Sequence, residues 1–228
     1  MFPDEWKRAN LVLIPKAKTP NSIEGRLPKV RPICLLDDIG KAFERIIAER
    51  IYHWQSEHPE SDVSANQFRF KRQRSTCDAL QTVKDIVMSA LNSGSYAILI
   101  SLDIKNAFNS IPWPVVRRAL RHKGFPEYIQ RIIDSYLLNR FIHYIGKDGI
   151  RYTRPMGAGV PQGSVLGPVL WNIAFDNVLD VAINEVNCHI LCYADDTLIL
   201  ITGRDLTLLR ARAGVIAARV IRRMVGWD

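Results

Sequence analysis

Short apolar runs alternate with amphipathic stretches along the chain, which predicts a fold of mixed strands and helices. Residues 10–15 and 29–35 are strand-like runs on either side of a polar loop, 16–28, and we expect them to pair as a flap. Residues 96–102 are apolar nearly throughout, which is typical of a strand buried on both faces. Asp103 follows directly and places a carboxylate at the end of this strand.

Several segments have the three- and four-residue spacing of amphipathic helices. Asp37 or Asp38 is predicted to cap the first helix, and Ser75 with Asp78 resembles a capping box that begins the second. The predicted inward faces are Ile39, Phe43, Ile46, Ile47, Ile51 and Trp54 in the first helix, and Leu80, Val83, Ile86, Val87 and Leu91 in the second. Further helices are predicted over 112–123, 126–138 and 206–225 and after a loop at 157–168, and a hairpin is predicted over 141–153.

Two adjacent carboxylates, Asp195 and Asp196, lie between short apolar runs at 188–193 and 197–201. This pattern predicts a β-hairpin with both aspartates at its tip. Two such charges about 4 Å apart repel each other by roughly 4 kcal/mol at an effective dielectric constant of about 20. We therefore expect a cation beside them. For this stretch taken alone, a polar turn that merely contains two acids is the alternative.

Composition narrows the classes of partner. The 228 residues carry a formal net charge of +8 and a pI near 9.5, which suits a polyanion such as nucleic acid, with a membrane surface or plain solubility as alternatives. The chain opens on charged residues, and no apolar run approaches the roughly 20 residues that span a bilayer, so we expect no membrane insertion. The four cysteines contain no Cys-x-x-Cys pair and indicate neither zinc nor a disulfide framework.

Residues 67–74 interleave aromatic and basic side chains, as expected where backbone phosphates and stacked bases are bound. A strand with a solvated basic face is the alternative interpretation. The cations of this segment are Arg69, Lys71, Arg72 and Arg74.

Two further segments could contact a phosphorylated ligand. Lys16 and Arg31 belong to the predicted flap and could donate hydrogen bonds to phosphates, although ordinary solvated charges would look the same. In the loop 157–168, glycines allow the main chain to approach another group closely, and Gln162 projects where the following helix begins.

Residues 101–111 and 159–168, together with the Tyr-Ala-Asp-Asp sequence at 193–196, resemble the reverse transcriptase family. They are most similar to the enzymes of non-LTR retrotransposons of the insect R-one type. Residues 13–16, 31–33 and 40–45 are supporting matches. These segments occur in the family's order and cover almost the whole chain.

The resemblance implies an α+β fold, the fingers and palm of a right-hand polymerase, with an antiparallel palm sheet packed on helices. Residues 1–95 would form a fingers-like region with part of the palm, and residues 96–228 the palm, in one reverse transcriptase domain. We expect the thumb, endonuclease and zinc-binding segments of relatives to be absent from this chain. Apolar residues of the last helix would then be exposed, namely Leu208, Leu209, Ile216 and Val220.

The implied activity is RNA-directed DNA synthesis, in which deoxynucleotides are added to the 3′-hydroxyl of a DNA primer on an RNA template. Such transfer uses two Mg²⁺ ions about 3.5–4 Å apart, bound by oxygen ligands, and Mn²⁺ can replace them. By resemblance, Asp103 and Asp195 would bridge the ions, with Asp196 more peripheral and the backbone carbonyl of Ile104 as a further ligand.

The resemblance also assigns roles around the nucleotide. Phe108 would lie under the sugar and exclude a 2′-hydroxyl, although a core phenylalanine is the alternative. Gln162 and Gly163 would border the nucleotide, and Lys16 and Arg31 would hold its triphosphate. The basic residues of 67–74 would contact template or primer, and the family implies a nuclear location.

Two other functions stay open at this point. The chain could be an inactive remnant that only binds nucleic acid, or another palm nucleotidyltransferase such as an RNA-templated RNA polymerase. Phe108 argues against the second, because an RNA polymerase must admit the 2′-hydroxyl. The chain also has Arg69 and Gln73 where relatives usually have glycine, which would strain the turn if either position requires a positive φ angle.

Overall fold

The computed structural model describes residues 1–15, 30–104 and 106–225, which form two sheets surrounded by helices. The strands are β1 (Arg8–Pro15), β2 (Val30–Leu35), β3 (Tyr96–Leu102), β4 (Phe141–Ile145), β5 (Arg151–Pro155), β6 (Cys188–Tyr193) and β7 (Asp196–Gly203). The helices are α1 (Asp38–Glu57), α2 (Thr76–Asn92), α3 (Ala107–Ser110), α4 (Trp113–His122), α5 (Glu127–Leu137), α6 (Leu166–Leu179) and α7 (Leu206–Val225).

The three-stranded sheet is antiparallel and has the order β3-β7-β6. Its central strand is β7, and Ile199, Leu200 and Ile201 of that strand are fully buried. The prediction that β3 is buried on both faces is wrong, because β3 is an edge strand with Leu99 46% exposed. The face of β3 that includes Ile98 packs on the main core, whereas α2 covers the other face only in part.

The four-stranded sheet has the order β2-β1-β4-β5 and joins distant parts of the chain. β1 and β2 pair antiparallel, as the flap prediction requires, and the loop between them lies outside the described residues. The hairpin of β4 and β5 is also confirmed, and its turn contains Gly149 at φ +77°. The sequence did not indicate that β1 pairs in parallel with β4, which links the region 1–95 to the region 96–228.

Helix α6 is the centre of the main core. It is apolar on every side, so its burial among the other helices and the three-stranded sheet is expected. Its two buried polar side chains have partners: Asn172 Oδ1 accepts from Gln67 Nε2 at 2.9 Å, and Asp176 pairs with Lys123 at 2.6 Å. These contacts leave Gln67 Oε1 and Asn177 Oδ1 buried without a hydrogen-bond partner among the described residues.

The predicted helix starts are confirmed. Asp37 accepts hydrogen bonds from the N–H groups of Ile39 and Gly40, and Ser75 and Asp78 form a reciprocal capping box. The predicted inward faces of α1 and α2 are partly wrong, because the rest of the protein buries a narrower part of each helix surface than the spacing suggested. Ile47 and Ile51 are buried in α1, but Ile39, Ile46, Leu80 and Leu91 are exposed.

Helix α7 contradicts the expected exposure of its apolar face. Leu209, Ile216 and Val220 are buried, and only Leu208 of the four residues is exposed, at 60%. The buried face of α7 packs against β3, β7 and α6, so the three-stranded sheet and α6 cover it. No helix in the described part of the chain is long and apolar enough to cross a membrane.

Candidate active site

A cleft of about 960 Å³ lies between β2, the end of β3, the loop 161–164 and the turn that joins β6 to β7. It brings together nine of the residues predicted to form the site. These are Arg31, Arg69, Asp103, Ile104, Phe108, Gln162, Gly163, Asp195 and Asp196. Lys16 lies outside the described residues.

The turn between β6 and β7 presents the first of the adjacent aspartates. Tyr193 pairs with Asp196, so Ala194 and Asp195 are the two central turn residues. The prediction that both aspartates lie at the tip is therefore half right, since Asp196 is the first residue of β7. Ala194 has a φ angle of +63°, a conformation that costs a residue with a side chain roughly 1–2 kcal/mol. Trp171 Nε1 donates to its carbonyl oxygen at 3.1 Å and helps to hold the turn.

The three aspartates form a concentration of negative charge. The β3–β7 register pairs Leu102 with Thr197, so the next residues outward, Asp103 and Asp196, lie beside each other. Partial burial raises the pKa of the Asp195 carboxyl, and the charges of Asp196 and Asp103 raise it further, while its own backbone N–H and Arg69 oppose them. Like charges so close disfavour ionisation unless a cation joins them.

The donor set suits a hard divalent cation, because all three side chains offer carboxylate oxygens and none forms an ion pair with a described residue. The described residues do not, however, gather three or more His, Cys, Asp or Glu side chains into a preformed metal cluster. Asp103, Asp195 and Asp196 thus share the cleft without forming such a cluster.

Two glycines in the loop 157–168 allow the loop to lie close to the backbone of neighbouring segments. Gly163 has φ +123°, and a Cβ there would lie 2.6 Å from the carbonyl oxygen of Cys34 in β2. At the same place the Cys34 N–H donates to the carbonyl of Gln162 at 2.8 Å. Gly159, at φ +76°, lies equally close to the backbone of Asn109, which follows Phe108. The loop is therefore fixed against both walls of the cleft.

The position of Phe108 agrees with both interpretations of this residue, as part of the nucleotide site and as a core phenylalanine. Its half-buried ring lines the cleft, and it also packs on the core, 5.1 Å from the ring of Trp171 between centroids. The ring of Phe70 meets it edge-on at 6.0 Å. Because rings on two sides hold Phe108, its position in the cleft wall is well defined.

The four cations of 67–74 are not equivalent. The guanidinium of Arg69 lies in the cleft, 5.2 Å from the centre of the Tyr193 ring. Lys71 Nζ instead pairs with Asp62 at 2.9 Å, and Arg72 pairs with Glu49, beside a second cavity of about 550 Å³. Arg74 lies over the ring of Phe68. The structure thus brings only Arg69 of this set to the aspartates.

The two positions where relatives usually have glycine differ in backbone conformation. Gln73 has a φ angle of +57°, whereas Arg69 does not belong to the positive-φ residues of the described chain and its neighbour Phe70 does, at +59°. The suspected strain therefore applies to Gln73 and not to Arg69.

Replacing Gln73 with glycine is expected to stabilise the protein by about 1 kcal/mol, because glycine adopts this φ angle without the cost that a side chain incurs. Arg69→Gly is the matched change, and we expect it to destabilise the protein, since it adds freedom to the unfolded chain and removes the contacts of the guanidinium with the rings of Phe70 and Tyr193. Thermal unfolding of both variants measures the difference. A lower midpoint for Gln73→Gly would show that the turn is not strained.

Sequence reasoning missed two residues that shape the site. Trp171 lies in the helix predicted after the loop 157–168, and nothing local in the sequence indicates that its indole holds the aspartate turn. Glu44 lies in the supporting segment 40–45, which is the only signal for it, and its carboxylate contacts the start of α6.

An antiparallel sheet with aspartates at a strand end and in the adjoining turn, opposite a glycine-containing loop, is the arrangement of a polymerase palm. Residues 14–219 match the reverse transcriptase (RNA-dependent DNA polymerase) family, and the chain belongs to this family. The fold and family that the sequence motifs predicted are confirmed.

Relatives come from non-LTR retrotransposons. The RNA-directed DNA polymerase of the mobile element jockey of Drosophila melanogaster is 33% identical over 94% of this chain. The Pol polyprotein of the type-1 retrotransposable element R1 of Bradysia coprophila is 32% identical over 91% of it. The chain spans 23% and 20% of these two proteins, about a fifth of their length.

Solved structures of telomerase share the fold. Telomerase from Candida albicans, in complex with a fragment of telomeric RNA, superposes with a TM-score of 0.66 at 12% identity, over 96% of this chain and 41% of that chain. Apo telomerase from Candida tropicalis, truncated from its C-terminal domain, gives the same TM-score over 48% of its chain. At this identity the likeness concerns the fold of fingers and palm alone.

Proposed function

We propose that this chain performs RNA-directed DNA synthesis, adding deoxynucleotides to a primer 3′-hydroxyl on an RNA template. The observation that carries the proposal is that Asp103, Asp195 and Asp196, none of them in an ion pair with a described residue, share a cleft whose opposite wall is a glycine-containing loop held by β2. The family membership supports the same reaction.

The metal ligands follow from the donor set. Two divalent cations, Mg²⁺ or Mn²⁺, would be held by Asp103, Asp195 and the carbonyl of Ile104, with Asp196 at the edge. When bound, the cations would activate the primer hydroxyl and stabilise the leaving oxygen of the triphosphate. The three carboxylates in turn gain the positive charge that their mutual repulsion requires.

The remaining residues of the cleft would orient the nucleotide. Arg31 on β2, with Lys16, would bind the triphosphate, and Gln162 and Gly163 would border the nucleotide from the loop. Phe108 would lie beneath the sugar. Positioning of this kind lowers the barrier because the reacting atoms are held together before the reaction begins.

The proposed partners are an RNA template, a DNA primer and deoxynucleoside triphosphates. The formal net charge of +8 supports phosphate contacts, and Arg69 supplies a cation beside the aspartates. A nuclear location belongs to the proposal on the strength of the family alone.

Binding to a template–primer should weaken steeply with salt, with a logarithmic slope of about 0.7–0.9 for each phosphate that a cation neutralises. Arg69→Gln should reduce the slope by about one such unit, because Arg69 lies in the cleft. Arg72→Gln is the matched control and should leave the slope unchanged, because Glu49 already neutralises that cation. Binding isotherms at several salt concentrations test this. Equal effects of the two variants would contradict the placement of the nucleic acid.

Single-nucleotide addition tests the reaction itself. On an RNA template with a DNA primer and Mg²⁺, we expect the chain to add the complementary deoxynucleotide and to add the ribonucleotide poorly. Binding without any addition would support the binding-only remnant instead. Preferred addition of ribonucleotides would support an RNA-templated RNA polymerase.

A further inference from the structure

Glu44 is a buried carboxylate in α1 that the proposed reaction does not use. It is 1% exposed, and its Oε2 accepts hydrogen bonds from the backbone N–H groups of Val165 and Leu166 at 2.6 and 3.0 Å. These N–H groups lie at the start of α6, more than 100 residues further along the chain. Glu44 therefore caps a helix from a distant segment, where a negative charge is favoured.

The residues next to this cap are those proposed to border the nucleotide. On one side of Gln162 and Gly163, the Cys34 N–H of β2 holds the Gln162 carbonyl at 2.8 Å. On the other side, Glu44 of α1 holds the N–H groups of Val165 and Leu166. The loop 161–165 is thus fixed at both ends by elements of the first 57 residues.

A buried arginine, Arg140, adds a favourable positive charge to the surroundings of Glu44. Arg140 is 1% exposed, its Nη1 donates to the carbonyl of Tyr136 at 2.9 Å, and its Nε and Nη2 have no hydrogen-bond partner in the described part of the chain. Burial is the largest influence on the Glu44 carboxyl and raises its pKa. The two backbone N–H groups oppose this increase, and Arg140 opposes it to a smaller extent. The cation and the N–H groups both favour the ionised carboxylate, which is the stronger hydrogen-bond acceptor.

We infer that Glu44 is a positioning residue, whose carboxylate fixes the loop 161–165 so that Gln162 and Gly163 face the incoming nucleotide. The inference rests on the proposed function, because it concerns the geometry of the same site. Glu44 does not line the cleft, so it acts through the loop and not on the reacting atoms. Its removal should therefore change nucleotide affinity more than the binding of template and primer.

Glu44→Gln tests the inference, because it keeps the shape of the side chain and replaces a charged acceptor with a neutral one. The matched control is Asp37→Asn, the same chemical change in a carboxylate that also accepts two backbone N–H groups beside α1. Asparagine caps a helix as well as aspartate does, and the hydrogen bonds of the Asp37 carboxylate stay within the start of α1.

Two measurements are made on each variant: KM and kcat for single-deoxynucleotide addition, and hydrogen exchange of the segment 161–166. For Glu44→Gln we expect KM for the nucleotide to rise about tenfold. The reason is that the two hydrogen bonds from Val165 and Leu166 then go to a neutral oxygen, and neutral hydrogen bonds are roughly half as strong as charged ones. Exchange at Val165 and Leu166 should become faster, with template–primer affinity unchanged. Asp37→Asn should match the wild type throughout.

Unchanged exchange in Glu44→Gln would overturn the anchoring, and faster exchange with an unchanged KM would overturn the effect on nucleotide binding. A wild-type chain that adds no nucleotide would contradict the proposed function instead, and the exchange data would still decide whether Glu44 anchors the loop. If Glu44→Gln does not fold, Glu44→Gln with Arg140→Met removes both buried charges and leaves neither unbalanced. We expect this double variant to fold and to keep the raised KM; a wild-type KM would overturn the inference.

Discussion

Replacing Asp103 or Asp195 with asparagine is expected to lower single-nucleotide addition about a thousandfold while template–primer binding survives. Each change removes a carboxylate proposed to hold the two cations, whose stabilisation of the transition state is worth several kcal/mol, and about 4 kcal/mol corresponds to a thousandfold. Asp196→Asn should have a smaller effect. Addition rates of the purified variants at saturating nucleotide, beside binding isotherms, make the measurement.

The control for these variants is Asp205→Asn. Asp205 lies just after β7, and it accepts hydrogen bonds from the N–H groups of Thr207 and Leu208, a capping role that asparagine performs equally well. Asp195→Asn should also stay folded, because burial and two neighbouring carboxylates already raise the pKa of Asp195 and disfavour its charge. Near-normal addition by Asp103→Asn would show that the metal assignment is wrong.

Local chemistry explains which elements could be predicted from the sequence. The caps at Asp37 and Ser75 depend on side chains within three residues of the groups they bind, and the turn at Gly149 depends on one backbone angle. Pairing between distant segments has no such signal. The parallel contact of β1 with β4 joins residues 130 or more positions apart, and no periodicity in either strand specifies that partner.

Burial was predicted less well than element type, because apolar spacing shows which residues can be covered but not what covers them. β3 is as apolar as a central strand, yet it lies at the sheet edge and Leu99 remains half exposed. Helix α7 shows the opposite error: Ile216 and Val220 were expected to be exposed, and the palm itself buries them. Both errors concern tertiary packing and not local conformation.

The site was predictable where its residues lie in short characteristic segments. Asp103, Gln162 and Asp195 were found in this way, and the structure brings them to one cleft. The basic segment was not predictable in the same sense, because composition does not show that Asp62 and Glu49 already neutralise Lys71 and Arg72. Contacts between residues far apart in the sequence, such as that of Glu44 with the start of α6, could not be predicted from composition either.

The proposed sugar selection depends on one ring, that of Phe108. Phe108 lines the cleft beside the aspartates, and its contacts with Phe70 and Trp171 prevent it from moving aside when a nucleotide enters. A fixed ring beneath the sugar can exclude a 2′-hydroxyl by steric overlap, whereas a mobile one could not. The packing of Phe108 on the core therefore supports the selective role and does not replace it.

Phe108→Val is accordingly expected to reduce discrimination against ribonucleotides about ten- to a hundredfold, within the range that a change of steric fit in a pocket usually gives. Deoxynucleotide addition should persist, because valine leaves the aspartates in place. Ratios of kcat/KM for the two sugars, on one template, provide the measurement.

The control is Phe175→Leu, which alters a fully buried ring that also packs on Trp171, 5.1 Å between centroids, and does not line the cleft. It should lower the unfolding midpoint, because it removes core packing, and leave sugar selection unchanged. If Phe108→Val behaves like this control and loses stability without admitting ribonucleotides, Phe108 is a packing residue only. The 2′-hydroxyl must then be excluded by another part of the cleft wall, for which the loop at Gln162 is the nearest candidate.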